Sequence, residues 1–126
     1  MSNGDKTILI VEDDKFLAKM LGRNLESHHY QVVQAINGKE GLVKASQGNI
    51  DLILLDIMLP DIDGFDLLET IKNDEKTKRI PVIIISNLGQ PEDIQQGKSL
   101  GAKDYLVKSD LSLDQVVEKV RKNLPQ

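Results

Sequence analysis

Five polar side chains stand where apolar runs of the sequence end. Glu12 and Asp13 follow Lys6 to Val11 (KTILIV), and Asp56 closes Asp51-Leu52-Ile53-Leu54-Leu55 before a Pro60-Asp61 turn. Ser86 follows Ile80 to Ile85 (IPVIII), and Lys108 follows Asp104 to Val107 (DYLV). A short run that is apolar on both alternating faces reads as a strand buried on both sides, the mark of a parallel sheet. Ligands of open parallel sheets bind in the crevice outside the carboxyl ends of the strands. Three carboxylates gathered there repel one another unless a cation joins them, and hard oxygen donors without Cys or His suit Mg²⁺. Ser86 can donate to a phosphoryl oxygen and Lys108 can neutralise another, so the constellation reads as a phosphoryl acceptor centred on Asp56. Each residue has a blander role. Acids after strands are often helix N-caps, the role assigned to Asp14, and a lone Ser or Lys at a strand end is usually solvated. It is the joint placement that carries the reading.

The elements that must position these groups follow from periodicity. Behind the first strand, Phe16, Leu17, Met20, Leu21 and Leu25 recur at helical spacing from Lys15 to about Ser27. His28 and His29 fall where that helix ends and read as surface residues, favoured near its negative pole. A second strand runs from Tyr30 to Ala35, and a helix from about Lys39 to Gln47 is closed by Gly48, although Asn37-Gly38 resembles a hairpin turn. Asp63-Gly64 opens a third helix through Phe65, Leu67, Leu68 and Ile71. Pro81 is tolerable because it stands near the start of the fourth strand. The helix from Pro91 to Leu100 has few apolar residues and an internal Gly97, so it is expected to be among the less firmly packed. The last helix, about Ser112 to Asn123, presents Leu113, Val116, Val117 and Val120. Tyr105, on the last strand, is expected half-buried with a wet hydroxyl. Five strands alternating with five helices imply an α/β fold with a doubly wound five-stranded parallel sheet, and right-handed crossovers favour the order 2-1-3-4-5.

Composition narrows the function classes. The 126 residues suit one domain, 1–126, large enough to bury a core without staples. No Cys is present, which removes disulfides and thiolate zinc sites and fits a reducing compartment. No apolar run approaches membrane-spanning length, so the expected location is the cytoplasm, without a membrane partner. The net charge of −4 and the 3% of aromatic residues argue against direct nucleic-acid binding. Neither GxxxxGK[ST] nor GxGxxG follows the first strand, which weakens a nucleotide-binding reading.

The stretches Ile8 to Asp14 (ILIVEDD), Asp51 to Gly64 (DLILLDIMLPDIDG), Pro81 to Ser86, and Gly101 to Lys108 (GAKDYLVK), in this order, resemble the receiver domain of two-component response regulators. The resemblance covers essentially the whole chain and implies a flavodoxin-like (βα)5 receiver domain. It implies that Asp56 accepts a phosphoryl group from a phosphohistidine on a sensor histidine kinase or phosphotransfer protein. Glu12, Asp13, Asp56 and the backbone carbonyl of Met58 would hold Mg²⁺, Lys108 would pair with the phosphate, and Ser86 and Tyr105 would be the switch residues. Residues bordering the path of water to the acyl phosphate would be Met58 and Leu88, with Asn87 adding bulk. The domain would be a signalling switch with at most slow self-dephosphorylation, passing its state to a downstream protein through the 91–123 region. Two positions depart from the family pattern. Ser109 follows Lys108 where a proline in a cis peptide is usual, so a trans bond is expected, and Asn87 stands where a small residue is usual. The rival from another class is an aspartyl-phosphate hydrolase of the haloacid dehalogenase type. Such enzymes use a second acid two residues past the nucleophile, where this chain has Met58.

Overall fold

A computed structural model describes residues 6–124. Strands β1 (Thr7–Val11), β2 (Gln31–Ala35), β3 (Leu52–Leu55), β4 (Val82–Ser86) and β5 (Asp104–Val107) alternate with helices α1 (Lys15–Ser27), α2 (Gly38–Ala45), α3 (Gly64–Asn73), α4 (Pro91–Ser99) and α5 (Leu113–Asn123). A single 3₁₀ turn, Lys108–Asp110, follows β5. All four pairings are parallel and the order is β2-β1-β3-β4-β5, as the periodicity and crossover argument require. Among the described residues no helix is long and apolar enough to cross a membrane.

Alternation along the central strands divides the core into two layers, because successive side chains point to opposite faces of a sheet. Ile8, Ile10, Leu52, Leu54, Ile83 and Ile85 pack with residues of α1 and α5. Leu9, Val11, Ile53, Leu55, Val82 and Ile84 pack on the other face, with α3 supplying Phe65, Leu67, Leu68 and Ile71. Every residue of β3 and β4 is buried. Each such Leu or Ile contributes roughly 1.5–3 kcal/mol on leaving water. The edges differ: in β2 Gln31 and Gln34 are exposed and Val32 and Val33 half-buried, and β5 is half-buried throughout.

Helix starts follow the capping logic of the sequence. Asp14 accepts from the amides of Phe16 and Leu17, Asn37 from Glu40, Asp63 from Phe65 and Asp66, and Ser112 from Gln115. Asn37-Gly38 is therefore a helix start and not a hairpin. Gly48 adopts φ +98 just past α2, as its place after the helix suggested. His28 and His29 are exposed, but His29 also ends α1 with its backbone, at φ 73. Its amide donates to Glu26 and that of Tyr30 to Leu25, the paired bonds that close a helix through a left-handed residue. Two residues of the expected apolar stripe on α1 face solvent: Phe16 is 74% exposed and Met20 is exposed as well. The buried face keeps Leu21 and Leu25 of that stripe and adds Ala18 and Gly22, whose small size lets α1 lie close to the sheet. In α4 only Gly97 is buried, in keeping with the poor stripe read from its sequence.

Gly64 fixes the exit from the long loop after β3. Its amide donates to the carbonyl of Ile57 at 2.9 Å, and a Cβ at residue 64 would overlap the backbone of Ile57. Gly64→Ala is therefore expected to cost about 3 kcal/mol, at the upper end for overpacking. Urea unfolding checks this: the midpoint should fall with little change in the denaturant slope.

Candidate functional site: an acidic crevice bridged by one lysine

Hydrogen bonds one residue beyond the strands carry the sheet's register into the crevice. The amide of Glu12 donates to Ala35, beyond β1, and the amide of Asp56 donates to Val11, beyond β3. Both carboxylates are thereby fixed at neighbouring strand ends, each with its side chain only 3% exposed. Asp13 is exposed at the rim. One oxygen from each of Glu12, Asp13 and Asp56 lies within 4.8 Å of the others, so the three expected acids do converge.

Lys108 enters from the end of β5, the first residue of the 3₁₀ turn. Its Nζ lies 2.9 Å from Glu12 Oε1 and 3.0 Å from Asp56 Oδ2. The second oxygen of each acid accepts a backbone amide: Asp14 donates to Glu12 Oε2 at 3.0 Å, and Met58 to Asp56 Oδ1 at 3.1 Å. Burial pushes the Glu12 carboxyl up to about 7, helped by the charge of Asp56 and opposed by the hydrogen bonds from Lys108 and Asp14. Burial works against the Lys108 ammonium, but its bonds to Glu12 and Asp56 outweigh that and hold it above its ordinary value. One ammonium does not neutralise three carboxylates. The surplus of hard oxygen donors, with no nitrogen or sulfur ligand in the group, fits a divalent cation of the Mg²⁺ type.

Ser86 is the last residue of β4 and fully buried, and its Oγ accepts from the amide of Leu88 at 3.1 Å. The Tyr105 hydroxyl donates to the carbonyl of Leu88 at 2.6 Å, so its tip is bonded to the β4–α4 loop and not merely wet. Burial raises the Tyr105 phenol, the Ser86 hydroxyl opposes this, and the charges of Asp93 and Asp56 add to it. Ser86 and Tyr105 thus grip the two sides of one residue, Leu88. Met58 is 54% exposed, Asn87 is exposed and Leu88 is half-buried. Met58 and Leu88 line a shallow hollow of about 390 Å³ with Asp13, Leu59, Pro60 and Phe65. The described residues hold no cis peptide bond, so the bond from Lys108 to Ser109 is trans, as expected.

Two features here were not legible. Phe16, expected in the core, stands exposed close in sequence to the acid pair. Asp61 reads in the sequence only as part of a turn, yet its carboxylate accepts from Gly38 at 2.8 Å and from Lys39 at 3.0 Å. The tie spans 23 residues, so no local pattern announces it.

Comparison with known proteins agrees with this geometry. The model of the response regulator receiver domain matches residues 8–121. RpaA of Synechocystis, named as a DNA-binding dual master transcriptional regulator, is 41% identical over 114 residues, which are 90% of this chain and 47% of that protein. Protein PilH of Pseudomonas aeruginosa is 41% identical over 101 residues, 80% of this chain and 84% of that one. The structure of the chemotaxis protein CheY4 of Vibrio cholerae superposes with a TM-score of 0.87 at 27% identity, covering 94% of this chain and 98% of the other. Several relatives are longer, and the chain spans less than half of RpaA. With a crevice built from the ends of a 2-1-3-4-5 sheet and a family match running from β1 into α5, the chain belongs to the response regulator receiver domains of two-component signalling.

Proposed function

We propose that residues 1–126 form a single receiver domain, working in the cytoplasm, in which Asp56 takes a phosphoryl group from a phosphohistidine of a sensor kinase or phosphotransfer protein. The observation that carries the reading is the Lys108 ammonium seated between the buried carboxylates of Glu12 and Asp56. A lysine so placed holds positive charge where a phosphoryl oxygen would arrive. One carboxylate oxygen of Asp56 attacks phosphorus as the P–N bond breaks, and the imidazole leaves with the electron pair. Lys108 then exchanges its bond to Asp56 for one to the phosphoryl group, stabilising charge as it spreads over the equatorial oxygens. Glu12, Asp13, Asp56 and the carbonyl of Met58 would hold Mg²⁺. When bound, that ion supplies Lewis-acid stabilisation of the transferring group.

The buried Ser86 hydroxyl would turn from the Leu88 amide to a phosphoryl oxygen. Because Tyr105 bonds the carbonyl of the same residue, release of one side of Leu88 alters the other. The readout would pass to α4, the helix with only Gly97 buried, and to a protein partner across residues 91–123. We assign no DNA contact to this chain, whose net charge is −4. The hydrolase alternative lacks its second acid, since Met58 holds that position, so we read the chain as a phosphoacceptor module and not an enzyme acting on small phosphoesters.

Incubation with Mg²⁺ and a small-molecule phosphodonor should add one base-labile phosphate that maps to Asp56 and is absent in Asp56→Asn. A phosphate on another residue, or none, defeats the reading. Mg²⁺ should raise the unfolding midpoint, adding about 2.7 kcal/mol to the unfolding free energy at a concentration roughly 100 times its dissociation constant. Asp13→Asn should shrink that response in calorimetry. Met58 and Leu88 offer no group that orients water, so self-dephosphorylation should be slow. Met58→Asn combined with Leu88→Glu should speed decay by about tenfold or more, timed by loss of the phosphoprotein.

A further inference from the structure

The loop between β3 and α3 leaves Asp56 and returns at Gly64, and its base is closed by an isolated antiparallel bridge. Met58 stands opposite Asp63 there, and the bond from the Gly64 amide to Ile57 is part of that bridge. The outer half is held otherwise. Met58 and Pro60 are exposed, while Leu59 and Ile62 are half-buried and rest on the edge of the core. Among the described residues, the hydrogen bonds from this outer half to another element both run through Asp61, to the amides of Gly38 and Lys39. These are two of the amides that the first turn of a helix leaves without intrahelical partners. The next, Glu40, is taken by Asn37, so one helix start is capped from two places, one local and one from the phosphorylation-site loop. A Cβ at residue 38 would lie 3.0 Å from Ile62 Cβ and 3.2 Å from Asp61 Oδ1, which explains why the residue that opens α2 is a glycine. The hydrogen bond from the Lys39 amide, set against burial, lowers the Asp61 carboxyl below its ordinary value, so it is ionised at neutral pH.

We infer that Asp61 is a positioning residue for the metal site: by clasping the start of α2 it fixes the outer loop and so aims the Met58 carbonyl at the ion. The inference rests on the proposed Mg²⁺ site. A carbonyl ligand contributes only when its peptide plane is held; the Met58 carbonyl lies in the plane shared with Leu59, while the bond inside the site, from the Met58 amide to Asp56, holds the plane before it. That acid is itself a proposed ligand and moves with the ion. An anchor outside the site is what the Asp61 clasp provides.

The test is Mg²⁺ affinity, read from the dependence of the unfolding midpoint and of amide chemical shifts on Mg²⁺ concentration, for the parent, Asp61→Ala, Asp61→Asn and Asn37→Ala. Loss of an outer support should weaken Mg²⁺ binding by about tenfold in Asp61→Ala. Asp61→Asn, which keeps one acceptor oxygen, should fall between it and the parent. Asn37→Ala removes the other cap of α2 without touching the loop, so it should lower stability and leave the Mg²⁺ dissociation constant unchanged. The initial rate of phosphorylation should recover in Asp61→Ala when Mg²⁺ is raised to saturation. If Asp61→Ala lowers stability as Asn37→Ala does but binds Mg²⁺ like the parent, Asp61 is a helix cap and the inference is overturned. If the parent itself shows no response to Mg²⁺, the proposed metal site fails first. Should Asp61→Ala not fold, Asp61→Asn carries the same comparison.

Discussion

Glu12 and Asp56 are carboxylates buried at neighbouring strand ends, and two such groups cannot both hold charge unless a cation lies between them. Lys108 supplies that cation in the arrangement described. Much of the architecture is arranged to permit it: the parallel order that sets β1 beside β3, the two backbone bonds that extend the register past the strands, and the turn after β5 that delivers Lys108 across two strands. The residual cost shows in Glu12, whose carboxyl burial holds near 7 despite the lysine. A site that is only partly compensated favours an added cation, and a lysine shared between two acids has a bond to yield when an anion arrives.

The sequence was informative where one element decides the outcome. Buried parallel strands leave continuous apolar runs, so β1, β3 and β4 and the polar residues ending them were readable, and the crossover rule supplied their order. Asp14 and Asp63 capped helices through contacts within three residues, which local pattern captures. Where two elements negotiate, the reading weakened. Phe16 and Met20 fit a helical stripe, but the sheet asks α1 for a close approach, and Ala18 and Gly22 meet that need better than bulk does. Asn37-Gly38 has the composition of a hairpin turn. The residues after it decide for a helix, which Asn37 caps locally through Glu40; what stays hidden in the sequence is the second cap that Asp61 supplies.

Leu88 illustrates how a small rearrangement at one strand end can be sensed elsewhere. Its amide and carbonyl are taken by residues from β4 and β5, and it also borders the hollow beside Met58. A single residue, through its two flanking peptide planes, therefore touches the last residue of β4, the aromatic residue of the edge strand and the start of the loop to α4. Gly89 follows, and a Cβ there would lie 3.0 Å from Val107, so this loop is drawn tightly over β5. Such closeness transmits displacement because packed interiors yield in discrete steps and not continuously.

The distance along the chain between the members of the site has a consequence for biosynthesis. Asp56 and Lys108 are 52 residues apart, and Lys108 directly follows the last strand. On the ribosome the N-terminal part emerges first, and at about 5–20 residues per second the acids precede their lysine by seconds. During that interval the acids lack the cation that lets them be buried, and β4 has one open edge. A chain that has not docked β5 therefore lacks the ammonium that lets Glu12 and Asp56 be buried side by side, so the crevice is completed only once the C-terminal part of the domain has been made.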